Sequence, residues 1–300
     1  MKQQQLVVVA EAAVLRLAGG RGWRVGAMAY SFGVAADGSR LSRLAQDFAA
    51  GMIKRRGAGD SLSALHITPR PEKLELVPDH LKPSKLEADM VEFSRLQDLD
   101  VKWVSQQREA DMSTGDALCK LVQDTGCDFT CVGSYGRKDP DDLDHIGSTG
   151  SEPLKLMHGG CFVVKNSSKI PSDEPMKWLV STDDSDYAMK AIKDTKSLMK
   201  EGDTLSVFMP TAGTVGMKTS GAAIDSFKAR KTSKYEQMCD EFTFMLKEGS
   251  VAVADVVLKH IEDKDIDVLV IAHKGLTYSY TAKPGAEEQK AQLGSVATGG

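Results

Sequence analysis

Phe32-Gly-Val-Ala-Ala-Asp37 is the stretch that decides the fold, because it is an apolar strand that ends in small residues and an aspartate. The same arrangement returns in the second half of the chain as Trp178-Leu-Val-Ser-Thr-Asp183. In both places a serine follows the aspartate, and apolar residues then recur at three- and four-residue spacing, which predicts an amphipathic helix. Two copies of one strand-and-helix unit indicate an internal duplication.

The order of the elements that follow is also repeated. Each copy continues with a strand, a helix, a strand, a helix and a fourth strand before a glycine-bearing loop. The predicted second, third and fourth strands are 62–67, 101–106 and 128–132 in the first copy and 204–209, 242–246 and 267–271 in the second. Both second strands are predicted to stop at a proline, Pro69 or Pro210. This alternation predicts an α/β fold of two tandem, doubly wound, mainly parallel five-stranded sheets with right-handed crossovers.

A chain of 300 residues suits two domains. The predicted division is an extension over 1–27, a first domain over 28–166, a linker over 167–176 and a second domain over 177–300. The first domain is expected to close with a helix at 152–157 and a fifth strand at 161–165. The second is expected to lack both, since the chain ends soon after Gly294-Ser295, and the Val-rich segment 6–10 is a candidate for an added strand.

Composition narrows the class of function. The net charge of -4 lacks the basic excess that nucleic-acid binding usually needs. No apolar run is long enough to span a membrane, and five dilute cysteines predict a reducing, cytoplasmic location. Cys127 and Cys131 would share one strand face, but no second ligand pair follows at zinc-site spacing, so no metal site is predicted.

The loop after the fourth strand of the first copy has the composition of a phosphate cradle. Gly133-Ser-Tyr-Gly136 is followed by an acidic stretch and then by Gly147-Ser148-Thr149, which opens a helix. Glycines allow close backbone approach to an anion, and free amides at a helix start donate to phosphate oxygens. Taken alone, the same residues could also be a turn and a helix N-cap.

Asp37 and Asp183 each place a carboxylate at the tip of a first strand, where ligands of open parallel sheets bind. A carboxylate suits a hydroxyl or amino donor on a nucleoside, although each aspartate could equally be a helix N-cap. No G-x-G-x-x-G follows either first strand and no P-loop motif is present, which argues against dinucleotide-binding and P-loop proteins.

Together these motifs resemble the universal stress protein family in its two-domain form. The family pattern is a first strand ending in Asp and, after strand four, Gly, two residues, Gly, about nine residues, then Gly and Ser or Thr. In ATP-binding members the Asp and a residue of strand two hold the adenosine, and the glycine loop holds the phosphates. The resemblance implicates Ala35, Ala36, Asp37, Ile67, Val132, Gly133, Gly136, Gly147, Ser148 and Thr149.

Both copies depart from the family pattern. The first has one extra loop residue and four aspartates in the loop. In the second copy, Ala272 replaces the first loop glycine, and 18 residues instead of about nine precede the last loop glycine. The second site is therefore expected to be weaker or empty. Its equivalent binding residues are Thr182, Asp183, Met209, Gly275, Gly294 and Ser295.

The resemblance implies a cytoplasmic stress protein that binds ATP, ADP or AMP, with Mg²⁺ compatible with the nucleotide, and that acts through nucleotide-dependent partner binding. No catalytic residue is predicted, and slow ATP hydrolysis stays open. In the family, fifth strands pair across a dimer, which implies an internal pseudo-dimer or a homodimer through that edge.

Two alternatives also stay open. One is a nucleotide-free dimerisation module, in which the glycine loops only make turns. The other is an adenylating enzyme, although Ser181-Thr-Asp-Asp-Ser185 lacks the two glycines of a pyrophosphate loop.

Overall fold

The computed structural model describes residues 6–10, 29–57, 59–137, 159–166, 168–212, 221–247 and 251–272. They divide into two compact units. The first extends to Glu174, and the second begins at Pro175 and also contains Val7–Ala10. The predicted helix at 152–157 and the predicted end of the second copy lie outside the described residues. None of the described helices is long and apolar enough to cross a membrane.

The first unit contains a parallel sheet of five strands in the order β4-β3-β2-β5-β6. The strands are β2 (Ser31–Ala35), β3 (Ser61–Thr68), β4 (Val101–Gln107), β5 (Phe129–Gly133) and β6 (Gly160–Val164). The helices are α1 (Arg40–Arg56), α2 (Pro71–Leu74), α3 (Pro83–Gln97) and α4 (Thr114–Thr125), with a 3₁₀ turn at Asp79–Leu81. The strand order reverses between β2 and β5, so their carboxyl ends frame the crevice in which such sheets bind ligands.

The second unit contains four parallel strands in the order β10-β7-β8-β9, and β1 (Leu6–Ala10) lies next to β10. The elements are β7 (Lys177–Ser181), α5 (Asp186–Leu198), β8 (Thr204–Ala212), α6 (Gly221–Tyr235), β9 (Glu241–Lys247), α7 (Val253–Lys264) and β10 (Val268–Ala272). The predicted α/β class with doubly wound parallel sheets is confirmed.

In both units the same kind of hydrogen bond anchors the amino end of the central strand. Two N–H groups at the start of that strand donate to two aspartates that begin neighbouring strands. The bonds run from Tyr30 to Asp60 at 2.7 Å and Ser31 to Asp128 at 2.8 Å in the first unit, and from Met176 to Asp203 at 2.8 Å and Lys177 to Asp267 at 2.9 Å in the second. These donors therefore need no ligand at this edge of the sheet.

Helix α1 forms because its sequence carries both end signals and an apolar face. Ser39 caps its start by accepting from the Ser42 N–H, and Gly57 ends it in the left-handed conformation. Its buried face packs on the sheet, where the Phe48 ring lies 5.1 Å from that of Phe162. Since α1 begins directly beyond β2, it fixes the loop between them.

The prediction that the second strand of the second copy stops at Pro210 is wrong, because β8 continues to Ala212 and Pro210 pairs in register with Met245. Thr182 N–H donates to Phe208 O at 2.9 Å, so Phe208 turns its peptide groups toward β7. Pro210, two residues further, faces the same side. Because β7 has already ended at Ser181, the missing N–H of Pro210 removes no ladder bond there.

Within the segment predicted as a linker, residues 171–174 pack against α1. The Arg55 side chain is in the core, with the residue 6% exposed, and it donates to the carbonyls of Ser172 and Glu174 at 3.1 Å each. The carbonyl of Pro171 occupies the space that a side chain on Gly51 would need. Residues 171–174 are therefore held by a buried cation and a close helix contact.

Candidate functional site

The candidate site lies at the carboxyl ends of β2 and β5. Ala35 is the last residue of β2, Asp37 follows two residues later, and Val132 and Gly133 end β5. The strands are paired in parallel, with Val34 opposite Cys131, so their ends meet at one edge. The structure thus brings together the strand-one aspartate and the start of the glycine loop.

Asp37 precedes α1 and does not cap it. Its Oδ1 accepts from the Ser39 N–H at 2.9 Å, and its own N–H donates to Ser42 Oγ at 3.2 Å. The N-cap is Ser39. The interpretation of Asp37 as an N-cap is therefore wrong, and its carboxylate is held in a turn before the helix.

The second oxygen of the Asp37 carboxylate faces the glycine loop. A Cβ on Gly136 would lie 3.0 Å from Asp37 Oδ2, so this glycine allows the loop to approach the carboxylate. Within the part of the chain that the structure describes, no group donates a hydrogen bond to Oδ2. Oδ2 is thus a carboxylate oxygen without a donor among the described residues, at the point where the strand order reverses.

Arg137 connects the glycine loop to the loop after β2. Its Nε donates to the Asp37 carbonyl at 2.7 Å, and its Nη2 lies 3.5 Å from the Leu81 carbonyl. Both acceptors are neutral carbonyl oxygens, so neither of these contacts pairs the guanidinium with a carboxylate. A cation is thus placed beside the loop that is expected to hold phosphate.

Gly133 has a packing role that does not depend on any ligand. A Cβ at this position would lie 2.8 Å from Leu41 Cβ and 2.9 Å from the Leu41 carbonyl carbon. The missing side chain lets β5 approach the first turn of α1. The proposed role of Gly133 in ligand approach and this observed role in packing are compatible, but only the second is visible among the described contacts.

His66 on β3 is a residue that sequence reasoning missed at this site. It is 1% exposed, and its Nδ1 lies 2.6 Å from the Ala36 carbonyl, which assigns the ring proton to Nδ1. Nε2 is then a buried acceptor without a partner among the described residues. Burial lowers the pKa of His66, which keeps the ring neutral at pH 7. The available signal was a histidine within an apolar strand.

The strand registers also correct an equivalence assumed from the sequence. Ala36 N–H donates to Leu65 O at 2.8 Å, and Thr182 makes the same bond to Phe208 O. The residue after Leu65 is His66 and the residue after Phe208 is Met209, so these two are equivalent. Matching Ile67 with Met209 was wrong by one residue, which in a strand reverses the face.

In the second unit, Asp183 repeats the geometry of Asp37. Its Oδ1 accepts from the Ser185 N–H at 3.0 Å, and Ser185 is the N-cap of α5. Thr182 is buried, and its Oγ1 accepts from the Asp184 N–H at 3.0 Å and lies 3.3 Å from the Tyr235 hydroxyl. The Thr182 hydroxyl thus makes internal contacts.

Asp184 lies at the centre of a polar cluster that the sequence did not predict. It accepts from Lys231, from Lys234 at 2.5 Å and from the Tyr235 hydroxyl at 2.6 Å. Partial burial raises the pKa of Asp184, but these hydrogen bonds outweigh burial and lower it to about 2. Burial, followed by the bond to Asp184, raises the pKa of Tyr235. Near neutral pH the Asp184 carboxylate is therefore ionised, and the Tyr235 phenol keeps the proton that it donates.

Six of the predicted binding residues lie outside the described residues. They are Gly147, Ser148, Thr149, Gly275, Gly294 and Ser295.

Comparisons with known proteins support the fold. No family model and no curated protein matches the chain. Among solved structures, a universal stress protein from Archaeoglobus fulgidus matches 83% of this chain and 88% of its own, with 17% identity and a TM-score of 0.60. UspA from Lactobacillus plantarum matches 46% of this chain and 99% of its own, with 16% identity and a TM-score of 0.38.

A universal stress protein in complex with cAMP matches 47% of this chain and 100% of its own, with 19% identity and a TM-score of 0.35. The likeness in fold rests on the Archaeoglobus protein.

Proposed function

We propose that the chain is a universal stress protein that binds an adenine nucleotide, ATP, ADP or AMP, at the carboxyl edge of the first unit. The observation that carries this proposal is the Asp37 carboxylate, whose Oδ2 accepts nothing from the described residues and faces Gly136. Ribose hydroxyls and the adenine amino group are donors, so a nucleoside supplies what this acceptor lacks.

The neighbouring groups fit the rest of a nucleotide. Gly136 leaves backbone space beside the carboxylate, and the Arg137 charge lies next to the loop. The amides of Gly147, Ser148 and Thr149 are proposed to complete the phosphate cradle. The described residues hold no cluster of three or more His, Cys, Asp or Glu side chains that could bind a metal. Mg²⁺ that accompanies the nucleotide would be held through its phosphates.

The second unit is proposed to bind nucleotide more weakly. Thr182 and Asp183 occupy positions equivalent to Ala36 and Asp37, but the Thr182 hydroxyl contacts Asp184 and lies beside Tyr235. Met209 takes the position of His66 and carries no nitrogen acceptor. The structure therefore offers fewer acceptors to a nucleoside at this end of the chain.

We propose binding rather than turnover as the role of the site, with any ATP hydrolysis slow. A carboxylate that accepts hydrogen bonds, with backbone amides and a guanidinium that donate them, can hold a nucleotide, whereas phosphoryl transfer also needs a base and metal ions in line with the phosphate. The bound nucleotide would contact the glycine loop and so alter the surface offered to a partner in the cytoplasm.

Calorimetric titration of the full chain with AMP, ADP and ATP, with and without Mg²⁺, tests the proposal. We expect the parent to bind and Asp37→Ala to lose at least about tenfold in affinity, because a hydrogen bond to a charged group contributes about 1.5–3 kcal/mol. Asp183→Ala is the matched control, since it removes the same kind of turn bond, to Ser185, and should keep the affinity of the tighter site in the first unit.

Three results would contradict the proposal. Absence of binding at millimolar nucleotide would favour a nucleotide-free interaction module. Equal affinity of Asp37→Ala and the parent would remove Asp37 from the site. A loss confined to Asp183→Ala would move the site to the second unit.

A further inference from the structure

The loop after β7 holds an aspartate in a conformation that favours glycine. Asp184 has φ 67°, and the equivalent residue of the first unit, between the aspartate and the capping serine, is Gly38 with φ 82°. Left-handed backbone is unfavourable for an L-residue, although less so for aspartate than for most. Side-chain contacts must offset this cost.

Three donors converge on the Asp184 carboxylate from the last turns of α6. Lys231 donates to Oδ2, while Lys234 and Tyr235 donate to Oδ1. The site is partly closed to water, because the side chains of Lys231 and Asp184 are 14% and 20% exposed. Tyr235 is fully buried and stacks on Phe242 at 4.8 Å, which fixes the position of its hydroxyl. Two cations and a fixed hydroxyl thus surround a single anion.

We propose that Lys231, Lys234 and Tyr235 form a phosphate-class anion site in the second unit, and that Asp184 occupies this site as an internal anion. Two ammonium groups and a phenol that donate to two carboxylate oxygens can donate equally to two phosphate oxygens. The inference concerns groups outside the first unit and does not rest on nucleotide binding there.

The tethered carboxylate explains why such a site would be closed to an external ligand. A group on the same chain competes with an effective concentration in at least the millimolar range. A free phosphate or a nucleotide phosphate would need to exceed this concentration before it displaced Asp184. Removing the carboxylate leaves a partly buried cation, Lys231, and a more exposed one, Lys234, without their anion, and an external anion then restores their neutralisation.

Titration with inorganic phosphate at constant ionic strength tests the inference in Asp184→Asn and Asp184→Gly. We expect phosphate affinity to rise at least tenfold over the parent in both variants, with an increase in melting temperature that grows with phosphate concentration. Asp184→Gly introduces the residue of the first unit and suits the observed φ. Asp184→Asn keeps the shape of the side chain, so the test survives if one variant folds poorly.

Asp194→Asn is the matched control. Asp194 is paired with Lys190 in the same unit and its side chain is 22% exposed, yet among the described residues one lysine and not two forms a salt bridge with it, so its removal should create no phosphate response. Adding Lys231→Met to Asp184→Gly should remove the gained affinity.

Titration of Asp37→Ala/Asp184→Gly with AMP separates the two sources of phosphate. Binding of AMP and phosphate would identify a nucleotide phosphate as a ligand, and binding of phosphate alone would identify the free anion. The inference is overturned if neither Asp184 variant binds phosphate more tightly than the parent, if Asp194→Asn gains the same affinity, or if Lys231→Met leaves the gain intact.

Discussion

The loops Asp37-Gly38-Ser39 and Asp183-Asp184-Ser185 share one backbone design and differ in what surrounds their middle residue. In both, the first aspartate accepts from the serine N–H and the serine caps the next helix. A side chain at Gly38 would collide with Leu81 and Leu86, whereas the side chain of Asp184 binds Lys231, Lys234 and Tyr235. The fold sets the position of the loop, and the neighbouring helix sets its chemistry.

The two units also bring opposite ends of the corresponding helix to this loop. In the first, Leu86 lies in the opening turn of α3. In the second, Lys231 and Lys234 belong to the closing turns of α6, where cations interact favourably with the helix dipole. The middle residue of the first loop therefore meets apolar side chains, and that of the second meets two cations and a hydroxyl.

The largest effect on stability is expected at the ends of two equivalent strands, where the first unit has a glycine and the second has an alanine. Gly133→Ala should lower the free energy of unfolding by about 2 kcal/mol, because the added Cβ would press on the Leu41 backbone. Ala272→Gly, the reverse change, should cost less than about 1 kcal/mol. Urea unfolding measures both. Equal stability of Gly133→Ala and the parent would show that α1 can shift and that Gly133 is not needed for packing.

A smaller effect on stability is expected from replacing the aspartates of the two loops, and it should differ between the loops. At pH 7, Asp184→Asn should cost about 1–2 kcal/mol because three donors lose a charged acceptor, and Asp37→Asn about 1 kcal/mol or less because one backbone donor does. The folded pKa of Asp184 is lowered to about 2 from an ordinary value of 3.8, so its contribution is present above pH 4 and lost as the pH falls toward 2.

Unfolding curves from pH 7 to pH 2 measure this difference. The gap between the parent and Asp184→Asn should close across the acidic end of that range. A gap that stayed constant to pH 2 would mean that the shape of the side chain, and not its charge, stabilises the loop.

The smallest effect is expected from His66→Met, which gives the first unit the residue of the second. Burial lowers the pKa of His66, so the unfolded chain takes up a proton that the folded chain resists, and the parent should lose stability as the pH falls below 6.5. The variant should lose less between pH 7 and pH 5, as measured by urea midpoints. His260 titrates in both proteins and cancels from the comparison. Identical pH slopes would contradict the assignment.

Local patterns were sufficient to predict most of the elements. The third strand was predicted at 101–106 and β4 runs from Val101 to Gln107, because alternation and turn residues are properties of neighbours along the chain. The predicted end of β8 at Pro210 was wrong because a proline is tolerated in this strand only where β7 has already ended. No residue near Pro210 in the sequence indicates where β7 ends. The packing of residues 171–174 was missed for the same reason, since Arg55 lies in another element.

The candidate site was predicted in part. Asp37 and Gly136 follow strands that pair in parallel, so their approach could be inferred from topology. The equivalence of His66 and Met209 required the register between strands, which a duplicated pattern fixes only to within a residue. The contact of Asp184 with Lys231 depends on how far α6 extends beyond the sheet. Hydrophobic periodicity along the chain does not predict that distance.

The aspartates that close the amino ends of the central strands have a consequence for how this architecture can change. Asp60 and Asp128 in the first unit, like Asp203 and Asp267 in the second, anchor a strand at the edge opposite the candidate site. A chain anchored at one edge can exchange loops at the other without losing its strand pairing. In each unit the loops at the carboxyl ends of the strands can therefore be replaced while the anchored strands stay paired. Transferring the loops of the first unit to the strands of the second becomes a practical engineering step.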